Sequence, residues 1–386
     1  LAYMAANFYD NPSENLKLVG VTGTNGKTTI ATLLYHLFTK AGFKVGLLST
    51  VNVMVADKVF PATHTTPDSL TINSYLRKMN EEGVEFCFME VSSHGIAQER
   101  TTGLQFCGGI FTNLSHDHLD YHSSFAEYRD VKKLFFDQLP PAAFALTNAD
   151  DKNGPVMLQN TRAKKYTYAL KTYADYNAKI LENQFGGLLL KVNGHELWTK
   201  LIGNFNAYNI LAIYAAGELL GLETQENLRL ISELNSVSGR FQYVISKQKI
   251  TAIVDYAHTP ESFEKIFNEV KPLVEGKLWA VFGSAGRRDE ARGPLVGLSG
   301  CRNGLVPRLL FAGLAVLGQS RGAVIASRAM SSWPPPPIHC DATMCTCSTT
   351  ASAGIPAHAA STRCNRSSPN ISPPTGPPPA SVMPAG

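Results

Sequence analysis

The sequence predicts an α/β protein whose main domain is a parallel sheet carrying a phosphate-binding loop. An apolar run from Lys17 to Thr22 leads into the glycine-rich segment Gly23 to Thr29. Apolar residues with helical spacing then extend from Thr28 to Ala41, and a second apolar run follows from Val45 to Leu48. Strand, glycine-rich loop, helix and strand in this order are how a parallel α/β sheet begins.

The glycine-rich segment is a variant of the phosphate-binding loop. In such loops glycines let backbone N–H groups converge on phosphate oxygens, a lysine neutralises the β- and γ-phosphates, and the next hydroxyl ligates Mg²⁺. The corresponding residues here are Gly23, Gly26, Lys27 and Thr28. The strict GxxxxGK(S/T) pattern requires glycine at position 21, where this chain has Val21. The strand before the loop and the helix after it supply the required context, so a nucleotide site is predicted.

A carboxylate is expected beside this loop. The run from Glu85 to Val91 is predicted to be a buried strand with Glu90 near its carboxyl end. An open α/β sheet places its ligand beyond the carboxyl ends of its strands. Glu90 is therefore expected to share Mg²⁺ with Thr28 and the nucleotide phosphates.

A third polar segment, residues 112–122, contains three histidines and two aspartates after the apolar run that starts at Gly109. Its spacing does not fit the HxHxDH pattern of dinuclear zinc hydrolases, because Tyr121 follows Asp120 and the last histidine comes one position late. That class of enzyme is disfavoured. His116 or His122 is instead expected to be a structural loop histidine.

The rest of the chain predicts an antiparallel edge, a linker and a second domain. Segments from Lys164 to Thr199 indicate antiparallel strands at the sheet edge, and Asn206 to Leu222 is predicted to be helical. Asn235 to Gly239 suits a domain linker, and Ile250 to Asp255 starts a new strand. Thirteen of the 22 prolines follow residue 297, which indicates a disordered tail or the translation of a shifted reading frame.

Composition describes a chain of 386 residues, 44% hydrophobic and 17% charged, which is enough for two or three domains. Six of its 35 basic and one of its 31 acidic side chains follow residue 297, which leaves 29 against 30 before it. The net charge of +4 is therefore no argument for nucleic acid binding. Two of seven cysteines precede that point, and neither a leader-like start nor an apolar run of about 18 residues occurs, so a cytoplasmic protein without membrane partners is predicted.

Nine motifs, taken in this order, resemble those of the Mur ligase family, and they cover residues 1 to about 297. They are GTNGKTT at 23–29, TTPD at 65–68, MEVSSHGIAQER at 89–100, TNLSHDHLDYH at 112–122, EYRDVKKLF at 127–135, GNFNAYNILAI at 203–213, SGRF at 238–241, DYAHTPES at 255–262 and GSAGRRD at 283–289. The TTPD and Ser-Ser-His-Gly segments favour the members that add the third amino acid of the peptidoglycan precursor.

The resemblance implies an ATP-dependent ligase that adds meso-diaminopimelate or L-lysine to UDP-N-acetylmuramoyl-L-alanyl-D-glutamate through an acyl phosphate, in peptidoglycan biosynthesis. It implies a cytoplasmic monomer that uses ATP and two Mg²⁺ ions. The dipeptide precursor and an amino acid are the implied partners.

The resemblance also assigns roles to residues. Catalysis is assigned to Lys27, Glu90, His118, Lys132 and Arg240. The metal ligands are Thr28, Glu90, His118 and Lys132, the last as a carbamate. The nucleotide contacts are Gly23, Thr24, Asn25, Gly26, Lys27, Thr28, Thr29, Asn206, Asn209, Arg240 and Asp255, with His258 in the same cleft. The precursor contacts are Thr65, Thr66, Ser92, Gln98 and Arg100. Lys133, next to the carbamate position, is expected to face solvent.

The same resemblance divides the chain into segments. Residues 1–15 correspond to the end of an N-terminal UDP-binding domain, and residues 16–236 to the central ATP-binding domain. Residues 237–297 correspond to the start of a Rossmann-like C-terminal domain, and residues 298–386 to a tail rich in Pro, Ala and Ser. The segment that selects the incoming amino acid is then absent. This chain is therefore expected to bind ATP weakly and to be inactive.

Two alternatives stay open. The first is another ATP-dependent amide ligase on the same scaffold, such as a folylpolyglutamate synthetase. The Thr65-Thr66-Pro67 segment and the residues Gln98 and Arg100 argue against it. The second is a nucleotide-binding protein with a phosphate-binding loop but no ligase chemistry, and a carbamate at Lys132 would argue against that.

Overall fold

An 11-stranded sheet forms the larger part of the computed structural model, which describes residues 1–115, 121–247, 250–257, 260–274, 277–281 and 322–327. Its strands are β1 (Lys17–Thr22), β2 (Val45–Leu48), β3 (Asn52–Val55), β4 (Lys58–Pro61), β5 (Phe86–Glu90), β6 (Phe106–Phe111), β7 (Phe144–Asn148), β8 (Lys164–Ala169), β9 (Tyr176–Gln184), β10 (Gly187–Val192) and β11 (His195–Thr199). Their order across the sheet is β11-β10-β9-β8-β7-β6-β1-β5-β2-β3-β4. The predicted α/β class is confirmed.

Helices and a smaller sheet complete the described structure. The helices are α1 (Ala2–Phe8), α2 (Lys27–Lys40), α3 (Ser69–Glu81), α4 (Ser93–Ala97), α5 (Phe125–Asp137), α6 (Gly154–Met157), α7 (Asn204–Leu219), α8 (Thr224–Ser232) and α9 (Pro260–Val270), with 3₁₀ turns at Pro12–Glu14 and Lys271–Leu273. The smaller sheet contains β12 (Gln242–Ile245), β13 (Thr251–Asp255), β14 (Lys277–Val281) and β15 (Gly322–Ser327), in the order β12-β13-β15-β14. Among the residues described, no helix is both long and apolar enough to cross a membrane.

Strand β1 lies between β5 and β6 and is parallel to both. All five residues of β5 and the last five of β1 are buried, as expected for parallel strands whose two faces are both covered by other elements. The loop after β1, Glu90 at the end of β5 and Thr112 after β6 consequently meet at one edge of the sheet. This is the arrangement predicted from the polar residues that follow the apolar runs.

The far edge of the sheet corrects one prediction. Strands β9, β10 and β11 are antiparallel, as expected for the segment before Thr199. Strand β8, which starts at Lys164, is instead parallel to both β7 and β9. The sheet therefore stays parallel through β9, and its antiparallel part on this side begins with the pairing of β9 and β10.

The second sheet follows the segment predicted as a linker. Strand β12 pairs antiparallel with β13, and β15 lies parallel between β13 and β14. Strand β15 falls within residues 298–386, the segment expected to be a tail. The exact domain boundaries stay predictions.

An aromatic cluster joins α2 to the sheet. The ring of Phe38 is fully buried, with its centroid 4.6 Å from that of Phe86 and 5.2 Å from that of Phe88 on β5. Phe43, after the helix, lies 5.0 Å from Phe86. This cluster fixes the helix that begins at the phosphate-binding loop against the strand that ends at Glu90.

We expect Phe38→Ala to destabilise the protein by roughly 3–5 kcal/mol, because it removes a buried ring and leaves a cavity that the surrounding strands cannot fill. Tyr173→Ala is the matched control, since that ring is 98% exposed, and its effect should stay below about 0.5 kcal/mol. Urea denaturation followed by circular dichroism measures both. Equal denaturation midpoints for the two variants would contradict the assigned role of the cluster.

Candidate active site

The loop between β1 and α2 has the backbone conformation that a phosphate-binding loop requires. Gly23 has φ of 144° and Gly26, the N-cap of α2, has φ of 89°, both in the region that favours glycine. A Cβ on Gly23 would collide with the hydroxyl of Thr112, and one on Gly26 would lie 2.8 Å from Oδ1 of Asn209. The two glycines are therefore needed both for backbone conformation and for close packing.

Residues after β6 hold this loop in place. The Thr112 hydroxyl donates to the Asn25 carbonyl oxygen at 2.6 Å, and the Asn25 N–H donates to Oδ1 of Asn113 at 3.1 Å. The Thr24 N–H donates to the Asn113 carbonyl oxygen at 2.8 Å. Lys27 turns back over the loop, and its Nζ donates to the carbonyl oxygens of Gly23 and Thr24, each at 2.9 Å.

A chain of hydrogen bonds links the next domain to Glu90. Nη2 of Arg240 donates to the Thr28 hydroxyl at 3.1 Å, and that hydroxyl donates to Oε2 of Glu90 at 3.0 Å. The Thr50 N–H donates to Oε1 of Glu90 at 2.6 Å. Glu90 is completely buried, so its carboxylate is a fixed group aimed at the loop. Thr28 and Glu90 thus come together as the sequence predicted.

The residues expected to contact the precursor lie on the other side of Glu90. The Thr66 hydroxyl donates to the Glu90 carbonyl oxygen at 2.9 Å and accepts from the Ser92 N–H at 2.9 Å. Nη1 of Arg100 donates to the Thr66 carbonyl oxygen at 2.7 Å, and its Nε donates to Oε1 of Gln98 at 2.9 Å.

Thr65 joins the same network through a hydroxyl contact. The Thr50 hydroxyl donates to Oγ1 of Thr65 at 3.1 Å, and the Thr50 N–H is the group that binds Glu90. All five predicted precursor residues therefore belong to one hydrogen-bonded network beside the phosphate-binding loop, in which Thr66 itself is buried.

Helix α5 brings a second lysine to the loop. Lys132 is completely buried, and its Nζ donates to the Gly23 carbonyl oxygen at 3.2 Å. The same Nζ lies 4.7 Å from the ring centroid of Tyr128. The Tyr128 hydroxyl oxygen is in turn 3.1 Å from Oγ1 of Thr24. The neighbouring Lys133 does not face solvent as predicted. It is buried and forms an ion pair with Asp137 at 2.6 Å, because the helix packs this face inward as well.

A cavity of about 800 Å³ opens from the loop towards the second sheet. Of the predicted nucleotide contacts, Asn25, Gly26, Thr29, Asn209, Arg240 and Asp255 line it. Asn206 lies behind Asn209, whose Nδ2 donates to Oδ1 of Asn206 at 2.8 Å. The Arg240 guanidinium stacks 4.6 Å from the ring centroid of Tyr256, which adds a second constraint on its position.

Asp255 fixes the backbone beside Arg240. Its Oδ2 accepts the N–H of Phe241 at 2.8 Å, and its Oδ1 accepts the N–H of Ala257 at 2.8 Å. Phe241 has φ of 49°, a conformation that costs free energy for a residue with a side chain. The Asp255 carboxylate offsets that cost and so helps aim Arg240 at Thr28.

Two predicted histidines, His118 and His258, lie outside the described residues, and so does His116. His122 is described and is almost completely buried, with its ring centroid 5.2 Å from that of Tyr128. Within the described part of the chain no group of three or more His, Cys, Asp or Glu side chains is placed to hold a metal ion.

Two residues of the site were not identified in the sequence. Thr50 follows β2, and no motif marks its N–H as a partner of Glu90. Tyr128 had an available signal, because it lies four residues before Lys132 on α5, and residues at that spacing share one face of a helix.

Family models match both parts of the chain. The Mur ligase middle domain matches residues 21–217, and the Mur ligase glutamate ligase domain matches residues 239–327. The first match contains the phosphate-binding loop, Glu90 and Lys132. The second contains Arg240 and Asp255 and extends to the end of β15.

Individual relatives agree with the family models. The chain is 52% identical over 303 residues to the UDP-N-acetylmuramoyl-L-alanyl-D-glutamate–2,6-diaminopimelate ligase of Cytophaga hutchinsonii, covering 78% of this chain and 62% of that protein. It is 53% identical over 298 residues to the ligase of the same name from Parabacteroides distasonis, covering 77% and 61%. A solved structure of a ligase of that name matches with a TM-score of 0.66 at 27% identity, covering 85% of this chain and 72% of that one. The chain thus spans about three fifths of the length of these relatives.

Proposed function

Because the chain belongs to the Mur ligase family, we propose that its protein is the ATP-dependent ligase that adds 2,6-diaminopimelate to UDP-N-acetylmuramoyl-L-alanyl-D-glutamate in peptidoglycan biosynthesis. The observation that carries the proposal is the meeting of the phosphate-binding loop and the precursor residues at Glu90. Thr28 contacts the side chain of Glu90, and Thr66 contacts its main chain. A site built this way brings ATP and a second substrate together.

The chemistry requires an anion to approach an anion. A precursor carboxylate attacks the γ-phosphorus of ATP, ADP leaves, and the amino group of the incoming amino acid then displaces phosphate from the acyl phosphate. We assign Lys27 and Arg240 the role of offsetting the charge repulsion in the first step; their contacts with the loop carbonyl oxygens and with the Thr28 hydroxyl support this assignment. In the second step we propose that the site acts mainly by holding the two substrates in contact. No protein nucleophile is needed.

The pair formed by Thr28 and Glu90 fits Mg²⁺. A hydroxyl oxygen and a fully buried carboxylate oxygen lie 3.0 Å apart, and Mg²⁺ prefers such hard oxygen ligands. A buried carboxylate is also costly without a compensating cation. When bound, Mg²⁺ supplies charge neutralisation at the phosphates. A second Mg²⁺ held by His118 and Lys132 is part of the proposal, although His118 lies outside the described residues.

A carbamate at Lys132 is supported by the crowding of positive charge. Nζ of Lys27 and Nζ of Lys132 donate to the same Gly23 carbonyl oxygen, at 2.9 and 3.2 Å, so the two nitrogens are at most about 6 Å apart. Two ammonium groups at that separation repel each other by about 3 kcal/mol at an effective dielectric constant of about 20. Addition of CO₂ to the Lys132 ammonium group forms the N–C bond of a carbamate and releases two protons, so the repulsion between two cations becomes an attraction between a cation and an anion.

We further propose a cytoplasmic monomer whose partners are the dipeptide precursor, diaminopimelate and ATP, without nucleic acid or membrane partners. The precursor is a water-soluble nucleotide, and the names of the relatives supply the amino acid. The earlier expectation that this chain is inactive stays a prediction. Release of ADP that depends on both precursor and diaminopimelate would contradict it.

Binding of the precursor tests the proposed function without requiring turnover. We expect calorimetry to show binding of UDP-N-acetylmuramoyl-L-alanyl-D-glutamate. Arg100→Ala should weaken this binding about tenfold, because it removes the proposed charge-assisted contact between the guanidinium group and the precursor. Arg77→Ala is the control, since Arg77 pairs only with exposed Asp10 and Glu81 in the described structure and should leave binding unchanged. Binding of a folate instead of the precursor would favour the alternative amide ligase.

A further inference from the structure

Part of the cavity wall is built by residues that belong to none of the predicted nucleotide contacts. Leu170 and Lys171 follow β8, and Tyr208 lies on α7, and all three line the cavity. The phosphate-binding loop is the proposed site for the phosphates of ATP, so the wall that these residues help to form is available to its base and ribose.

Asp150, just after β7, fixes this wall from behind. Its Oδ2 accepts hydrogen bonds from the N–H groups of Leu170 at 2.8 Å and Lys171 at 2.9 Å, and from the Tyr208 hydroxyl at 2.9 Å. Its Oδ1 accepts from the N–H of Thr172 at 2.9 Å and from the hydroxyl of the same residue at 2.8 Å. One carboxylate therefore accepts five hydrogen bonds, four from the turn at 170–172 and one from Tyr208 on α7.

The electrostatics favour a charged carboxylate in this position. Burial acts to raise the pKa of Asp150, but the hydrogen bonds from Thr172, Leu170, Tyr208 and Lys171 together lower it below its usual range. Burial, with the bond to Asp150, raises the pKa of Tyr208, so its hydroxyl stays protonated and donates. Hydrogen bonds from neutral donors to a charged carboxylate are stronger than those to the neutral side-chain amide of an asparagine would be.

We propose that Asp150 is a positioning residue for the nucleoside of ATP: it holds Tyr208 and the turn at 170–172 in the wall against which the base and ribose pack. The inference rests on the proposed function, because it takes ATP as the occupant of the cavity. It adds a determinant of ATP affinity that lies outside the phosphate-binding loop.

The test separates the nucleoside from the phosphates. Asp150→Asn replaces one acceptor oxygen by a donor that faces other donors. We expect calorimetry on the full chain to give an ATP Kd about tenfold higher, while the Kd for inorganic tripolyphosphate, which has no nucleoside, stays within twofold. Tyr208→Phe removes one of the five bonds and should raise the ATP Kd about threefold, again without affecting tripolyphosphate.

Asp175→Asn is the matched control. Asp175 lies just before β9, close to the turn at 170–172. Its carboxylate also accepts hydrogen bonds from a backbone N–H and a hydroxyl, both of Thr167 on β8, but Thr167 does not line the cavity. An equal loss of ATP affinity in this variant, or an equal loss of tripolyphosphate affinity in Asp150→Asn, would show general damage and overturn the inference. A wild-type chain that binds tripolyphosphate but not ATP would overturn it too. A wild-type chain that binds ATP but not the dipeptide precursor contradicts the proposed function alone.

Discussion

Replacement of Lys27 by alanine is expected to lower the affinity of the chain for ATP by about 30- to 100-fold. The substitution removes a cation within hydrogen-bonding distance of the loop carbonyl oxygens, beside the backbone that we propose binds the phosphates. An ion pair at about 4 Å and an effective dielectric constant of about 20 contributes up to about 4 kcal/mol, and screening by solvent reduces that to about 2–3 kcal/mol. The ratio of dissociation constants follows from that free energy.

Calorimetry with MgATP measures the loss. Lys40→Ala is the control, because Lys40 belongs to the same helix but lies at its other end, exposed and paired with Glu233. It should bind ATP as the wild type does. If Lys27→Ala kept wild-type affinity, the loop would not be the phosphate site, and the proposed function would lose its basis.

Replacement of Lys132 by alanine is expected to abolish a CO₂-dependent modification of the protein. Incubation of the wild-type chain with ¹³C-labelled bicarbonate should give one carbamate carbonyl signal in the NMR spectrum, and Lys132→Ala should lack it. The physical reason is the proximity of Lys27, since an anion at position 132 is attracted to that ammonium group where a second cation would be repelled. The expected effect is complete loss of the signal.

Lys133→Ala provides the matched control for this experiment. Lys133 is adjacent in sequence and is also buried, but its ammonium group is already paired with Asp137. Its removal should leave the carbamate signal in place. A signal that survives in Lys132→Ala, or a wild-type chain that takes up no label at saturating bicarbonate, would argue for a nucleotide-binding protein without ligase chemistry.

Local sequence patterns predicted the centre of the molecule well. The apolar run that becomes β1, the glycine-rich loop and the spacing of α2 are adjacent in the chain, so their geometry depends mainly on local conformation. The position of Glu90 was also predictable. The carboxyl ends of parallel strands share one edge of a sheet, so a polar residue at a strand end lies near the ligand.

The fold also corrected details that sequence patterns do not determine. Strand β8 is parallel to its neighbours, although the alternation of residues suggested an antiparallel pair. The direction of a strand depends on how the chain connects it to the neighbouring strands, and the pattern of residues within the strand does not determine it. Lys133 was expected to face solvent but is buried, because the face of α5 that carries Lys133 is covered by the protein as well as the face that carries Lys132.

By itself, the sequence determined that this protein has a phosphate-binding loop on a parallel α/β sheet and that its motifs are those of a Mur ligase. Only the tertiary structure decided which residues support that loop. Thr50 reaches Glu90 from 40 positions away, and Asp150 binds Tyr208 from 58 positions away. Contacts of this kind join segments that meet only after the sheet has formed. They therefore produce no repeating pattern in the sequence from which they could be predicted. The loop could be identified from its own residues, whereas its supports depend on how distant strands and helices pack.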